Sequence, residues 1–323
     1  MKRVHLGRVS VLMLALTVLL LPGCSQGTST PPAGENLRGT ITISGAWALY
    51  PMMVRWGEEF QKQNPQVQFD ISAGGAGKGM ADALAGAVDI GMVSRAIAAA
   101  EEQQGAFWVP VTKDAVFPSV NARNPVLADL QKMGVTREKF IGIYITGETK
   151  TWGQVIGRSD VTDPIHIYTR SDAAGAPDTW AKYLGKRQED LLGVGVFGDP
   201  GLLEAVVKDP LGIGYNNLGY AFDLTSGRPV TGSMVLPIDV NNNGTVDPDE
   251  VLETRLQAKD GIAKGVYPSP PAREENVVTK GKPGGLSRAF IVWILTQGQA
   301  YVDSAGYVPL PQQALDEALK KLE

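Results

Sequence analysis

The run Asp239-Val240-Asn241-Asn242-Asn243-Gly244-Thr245-Val246-Asp247-Pro248-Asp249-Glu250 sets oxygen donors at the spacing of a calcium loop. Asp239, Asn241 and Asn243 carry side-chain oxygens two residues apart, and Gly244 falls at the sharp bend. Thr245 would offer its carbonyl, Asp247 a water-bridged contact and Glu250 a bidentate carboxylate. Hard Ca²⁺ favours this mixture of oxygens, although a plain Asn-Asn-Asn-Gly turn would use the same residues. With one such loop and no paired hand, the ion would be a structural clip and not a signal.

Two other runs point to anion chemistry. Ser72-Ala73-Gly74-Gly75-Ala76-Gly77-Lys78-Gly79 departs from a nucleotide P-loop at two places: Ser72 stands where the first Gly belongs, and Gly79 where a Ser or Thr belongs. As a dinucleotide fingerprint its third Gly comes one residue early. The physics beneath both motifs survives, because glycines after a strand let backbone N–H groups approach an anion at the positive end of a helix. A tight turn with no ligand would use them equally. Arg170-Ser171-Asp172-Ala173-Ala174-Gly175 places a planar guanidinium fork between a strand and a helix, with Asp172 to orient it or to cap the helix. Such a triplet also occurs in ordinary surface turns.

Catalytic constellations are absent. Of two histidines, His5 lies near the N-terminus and His166 inside an expected strand, and the one cysteine, Cys24, excludes an intramolecular disulfide. There is no Gly-x-Ser-x-Gly elbow and no His-Glu-x-x-His. The chain reads as a binding protein and not as an enzyme.

The elements around these runs have the periods of an α/β fold. Thr40–Ser44 alternates as a strand, Pro51–Gln63 carries Met52, Met53, Trp56 and Phe60 on one helical face, and Val67, Phe69 and Ile71 alternate again. A helix to Ala87 and a strand Asp89–Val93 follow. Strand, helix, strand, helix, strand predicts a mostly parallel sheet, with ligands beyond the carboxyl ends of its strands. Three loops would then share one rim: Ser44–Tyr50, Ala73–Lys78 and Ser94–Arg95. The apolar stretch Phe107–Asn121 reads as a crossing into a second lobe, with strands at Phe140–Tyr144, Ile165–Tyr168 and Leu192–Phe197. The return is expected near Met234–Ile238, giving one lobe from 39–110 plus 238–323 and another from 111–237.

Residues 1–23 have the form of a lipoprotein signal peptide: Lys2, Arg3 and Arg8, an apolar run Val9–Leu21, then Leu21-Pro22-Gly23-Cys24. Cys24 is the expected lipid attachment point, and residues 24–38, rich in Ser, Thr, Gly and Pro, the flexible tether. Losing those three cations takes the formal charge from -4 to -7. Such an acidic domain is a poor nucleic-acid binder, so any anion binding must be local.

Ser44-Gly45-Ala46-Trp47-Ala48-Leu49-Tyr50-Pro51, the glycine run, Asp89–Arg95 and the Arg-Ser-Asp triplet together resemble the phosphate-binding proteins of ABC transporters. Pro210–Tyr215 and the segment from Trp293 to Leu310 match further stretches of that family, in the same order. The resemblance implies a two-lobe periplasmic-binding-protein fold of type II, each lobe a mostly parallel sheet flanked by helices. It implies a monomeric, membrane-anchored extracytoplasmic protein that closes over phosphate without chemistry and passes it to a permease. Carried over by position, the anion would be framed by Ser44, Gly45, Ala46, Trp47, Gly75, Ala76, Gly77, Ser94, Ser171, Asp172 and Gly175. Arg95 and Arg170 would be the charge partners, with Lys78 as a third. The family's loop hydroxyls are missing here, where Ala48 or Leu49, Gly75 or Ala76, and Ala174 and Ala176 stand, and Arg95 replaces an acidic proton acceptor. Those departures leave open another oxyanion such as sulfate, arsenate, molybdate or tungstate. A calcium-clipped surface lipoprotein that binds a protein partner is the alternative from a different class.

Overall fold

The alternation at Thr40–Ser44 becomes β1 (Gly39–Gly45), whose Ile41 and Ile43 are buried. Helix α1 (Tyr50–Gln63) tolerates Pro51 in its first turn and buries Met52, Met53, Trp56 and Phe60. It ends at Asn64, before Pro65. Strand β2 (Val67–Ala73), helix α2 (Ala76–Ala85) and strand β3 (Ile90–Val93) follow, and β1 pairs in parallel with both β2 and β3. After the short helix α3 (Ala99–Gln103) the chain enters β4 (Ala106–Asn121), a strand of 16 residues.

The computed structural model describes Leu37–Glu323. The signal segment, Cys24 and nearly all of the expected tether lie outside the described residues. Within them, no helix is long and apolar enough to cross a membrane.

Past β4 come α4 (Leu127–Met133), β5 (Val135–Thr136), α5 (Arg137–Ile141), α6 (Trp152–Ile156), β6 (His166–Arg170) and α7 (Gly175–Tyr183). Then follow β7 (Val194–Val196), α8 (Gly198–Lys208), β8 (Gly212–Asn217), α9 (Leu218–Ala221), β9 (Ser233–Val235) and β10 (Ile238–Asp239). The chain closes with α10 (Arg255–Lys264), β11 (Ala272–Lys280), α11 (Gly285–Leu295) and α12 (Gln312–Leu322). The main sheet runs β2-β1-β3-β11-β4-β8-β6-β7, with β9 also on β4. Two parallel triplets, β2-β1-β3 and β8-β6-β7, are therefore joined through two antiparallel strands, β11 and β4.

Each triplet has its own core. Ile41, Trp56, Phe60, Val109, Val277 and Phe290 belong to the first, and Val116, Phe117, Phe140, Trp180, Tyr215 and Phe222 to the second. β4 supplies Val109 and Val111 to one core and Ala115 to Val120 to the other, so it is buried along its length for two different reasons.

Two expectations are corrected. Phe140–Tyr144 is not a strand but the end of α5 and a π-helical turn, Gly142–Thr146, because the Thr136 hydroxyl accepts the Lys139 N–H at 3.3 Å and starts a helix there. The chain also does not leave the second core at Met234–Ile238. Ile238, Leu252, Ala258, Ile262 and Tyr267 all pack in it, and the return comes along β11, whose Val277 and Val278 reach the first core.

Candidate functional site

The starts of four helices meet at the boundary between the cores. The Gly77 N–H, in the first turn of α2, donates to the Ala173 carbonyl just ahead of α7 at 3.0 Å. A Cβ on Gly175, the first residue of α7, would stand 2.0 Å from the Ser94 Oγ. Trp47, ahead of α1, meets Phe197 edge-on at 6.1 Å and lies against Gly198, which opens α8. First-turn N–H groups have no intrahelical partner, and aligned peptide dipoles make such ends positive. The local field therefore favours an anion in a chain whose net charge is negative.

Glycine is required where these loops touch. Gly45 has φ 134°, and a Cβ there would lie 2.3 Å from the Met92 carbonyl oxygen. Gly75 has φ 93° and faces the Ala173 carbonyl and the Asp172 carboxylate. The Gly74 and Gly75 N–H groups donate to the Gly45 carbonyl at 2.9 and 3.0 Å, which fixes the glycine run against the end of β1. Ala46, whose N–H donates to the Met92 carbonyl at 2.9 Å, and Ala76 are both buried in the same seam. We expect Gly175→Ala to leave the fold intact and weaken anion affinity at least about tenfold, since its methyl group would hold the Ser94 loop away. Calorimetric titration beside an unchanged circular-dichroism spectrum would measure this.

Arg170 lies at the end of β6 with its side chain fully buried. Its Nε and Nη2 donate to the two Asp172 oxygens at 2.7 and 2.5 Å, and its Nη1 donates to Asp199 Oδ2 at 2.5 Å. Burial alone would ease the proton off; the Asp199 and Asp172 charges outweigh it and hold the guanidinium firmly cationic. Asp172 also accepts the Gly198 N–H at 3.1 Å, and Asp199 accepts from Asn217 Nδ2 at 2.6 Å. Asp199 had no motif to betray it. It is an acid at the start of a helix, Gly198-Asp199-Pro200, where capping alone would explain it.

Other expected residues fall differently. Lys78 is ion-paired with Asp82, one turn on, which also accepts the Ser44 hydroxyl at 2.6 Å. Burial pushes the Asp82 carboxyl up, but those bonds and the Lys78 charge bring it below its usual range. Arg95 is turned onto its own loop, donating to both Glu101 oxygens at 2.9 and 2.6 Å and to the Ala96 carbonyl. Arg170 therefore stands without Arg95 in the seam. Ser171 is exposed, with its N–H on the Val196 carbonyl at 3.0 Å.

Behind the seam, on the crossing strands, lies a buried charge cluster that no motif announces. Arg273 of β11 reaches Asp114 of β4 at 3.3 Å, Glu275 at 3.2 Å and Asn217 Oδ1 at 2.5 Å. Burial pushes Glu275 up to about 8 and Asp114 up to about 6, against the opposing pull of Arg273.

In the calcium-type loop, the two Asp239 oxygens accept the Asn243 and Gly244 N–H groups at 3.1 and 2.9 Å. Glu250 spans the loop, accepting the Val240 and Asp247 N–H groups at 2.7 and 3.1 Å. The Asn241 and Asn243 amides donate to Asp247, and Thr245 donates to Asn243 Oδ1. Among the described residues, no group of three or more acidic, His or Cys side chains is gathered closely enough to hold a metal ion. The donor set instead mixes carboxylates with amides and a carbonyl.

The chain belongs to the PBP superfamily, whose domain profile matches residues 30–297. Its architecture is accordingly the two-lobe α/β periplasmic-binding-protein fold. It is 25% identical to the phosphate-binding protein PstS of Bacillus subtilis over 94% of this chain and 93% of that one. It is also 25% identical to the protein of the same name from Methanocaldococcus jannaschii, over 93% and 90%. Among solved structures, one from Clostridium perfringens with bound phosphate superposes with a TM-score of 0.68 at 23% identity, covering 84% of this chain and all of that one.

Proposed function

We propose that this protein is the solute-binding component of an ABC transporter, capturing an inorganic oxyanion, phosphate first, between its two cores for a membrane permease. The observation that carries this is the meeting of four helix starts around the buried Arg170, a positive seam between cores joined only by strands. The names of the curated relatives support phosphate as the solute. No bond is made or broken: backbone N–H groups and one guanidinium replace the anion's hydration. Cys24 carries the lipid that holds the monomer at the outer face of the cell membrane.

Titration of the ligand-stripped protein with phosphate is expected to give one-to-one binding at about micromolar Kd or tighter, near -8 kcal/mol. A second oxyanion remains a specific rival, because Asp199 and Asp172 both already neutralise Arg170 and the loops lack hydroxyls. Tight binding of sulfate, arsenate, molybdate or tungstate with weak phosphate heat would change the solute and keep the transport role. No heat with any of them would end the transport reading in favour of a surface lipoprotein that binds a protein.

The loop Asp239–Glu250 is, in this proposal, a calcium clip on the second core, with Asn241 and Asn243 turning their amide oxygens inward. Calcium at a hundredfold excess over its Kd should stabilise the fold by about 2.7 kcal/mol. Melting curves should then separate with and without chelator, and Glu250→Gln should bring them together. Overlapping curves in the unaltered protein would dismiss the ion.

A further inference from the structure

Beyond the Ser94–Gly175 contact, a cavity of about 370 Å³ opens between the two cores. Ala96, Ile97 and Trp108 form its first-core side, and Asp178, Thr179 and Lys182 of α7 its second-core side. Arg273, Glu274 and Asn276 of β11 lie between them. Its size lies within the range of small-molecule clefts and exceeds what a single tetrahedral oxyanion fills.

The polar groups on β11 are unmet in a particular pattern. Arg273 has a side chain only 7% exposed, and its Nη1 has no hydrogen-bond partner among the described residues. Asn276 is 3% exposed; its amide N–H donates to the Arg95 carbonyl at 3.2 Å, and its Oδ1 accepts nothing there. Buried polar atoms without partners are uncommon, and each asks for a water or a ligand. One surplus here is cationic and donates; the other is neutral and accepts. The exposed Glu274 adds a carboxylate, while Lys182 and Asp178 pair at 2.8 Å on the opposite wall. Cations and carboxylates are thus balanced, and apolar surface comes from Ile97, Trp108 and Pro270.

We propose that this cavity binds a small zwitterion of the α-amino-acid type, independently of the anion seam. The ligand's carboxylate meets Arg273 Nη1, and its ammonium meets Asn276 Oδ1 and Glu274. Its side chain lies against Ile97 and Trp108. A simple oxyanion would satisfy Arg273 but leave Asn276 Oδ1 unmet and face Glu274 and Asp178. A simple amine would leave Arg273 unmet.

The test is calorimetric titration of the full chain, with and without saturating phosphate, using L-leucine, L-glutamine and L-phenylalanine as probes and 4-methylpentanoate as the analogue without the amine. At least one amino acid should bind one-to-one in both conditions, with the carboxylate analogue weaker by about tenfold or more. Ala96→Trp, which fills the cavity without touching a buried charge, should lower that affinity at least tenfold with an unchanged circular-dichroism spectrum. Glu274→Gln, at an exposed position, should lower it several-fold. The proposal is overturned if none of the three amino acids binds, or if phosphate competes with them. It is equally overturned if the analogue binds as tightly, or if Ala96→Trp binds like the parent.

Discussion

Replacing Arg170 with methionine should remove measurable phosphate binding and lower the unfolding free energy by about 3–5 kcal/mol, the usual cost of breaking a buried pair. The loss is large because two carboxylates, Asp172 and Asp199, would be left buried without the cation that both contact. Urea denaturation measures the stability arm and calorimetry the binding arm. Asp199→Asn separates them: it keeps the guanidinium and an acceptor for Nη1 but deletes one buried negative charge. Phosphate affinity in that variant is expected to rise, by about tenfold for roughly 1.4 kcal/mol of relieved repulsion. A folded Arg170→Met protein that still bound phosphate within about twofold of the parent would take the guanidinium out of the site.

Stability should fall as pH rises from about 4 toward 8, opposite to the trend set by paired surface carboxylates. Burial raises Glu275 to about 8 and Asp114 to about 6, so the folded state keeps protons that the unfolded chain has already released. A state that binds more protons is favoured at low pH. This contribution is therefore complete below the ordinary carboxyl range and is lost as pH rises through those values. For Glu275 the full swing is a few kcal/mol. Glu275→Gln keeps the shape of the side chain and removes its titration, so its melting temperature should vary much less between pH 6 and about 8. A parent protein whose melting temperature was flat over that window would place Glu275 in an ordinary, solvated state.

Much of the first core was legible because its signals are local. Ile41 and Ile43, the Met52–Phe60 face and the glycines at Gly74–Gly79 all follow from period and backbone freedom within a few residues. The rim of three loops, and Arg170 at a strand end, follow from the same logic. β11 was not legible, since Ala272-Arg273-Glu274-Glu275-Asn276 has neither alternation nor an apolar run. Its charges are buried because Asp114 and Asn217 wait for them across the sheet, more than fifty residues away in sequence. Arg95 misled for a related reason: its motif position faces the site, but Glu101, six residues on, captures the guanidinium. Asp199 stayed hidden because its partner Arg170 lies 29 residues earlier. Local patterns report the backbone that surrounds an anion; the charges that tune it are paired over long separations.

The placement of β11 has a consequence for how the chain acquires its structure. Asn276 pairs with Val93, and Ala272 with Ala115, so the first half of the molecule leaves two strand edges bare until the last quarter has emerged. Loop closure over such separations makes folding slow. Bare edges meanwhile invite pairing with other chains. A chain halted before residue 272 would hold β3 and β4 with nothing between them, prone to self-association. The polypeptide is thus suited to being carried across a membrane as an unfolded thread, since it commits to its final form only when its end arrives.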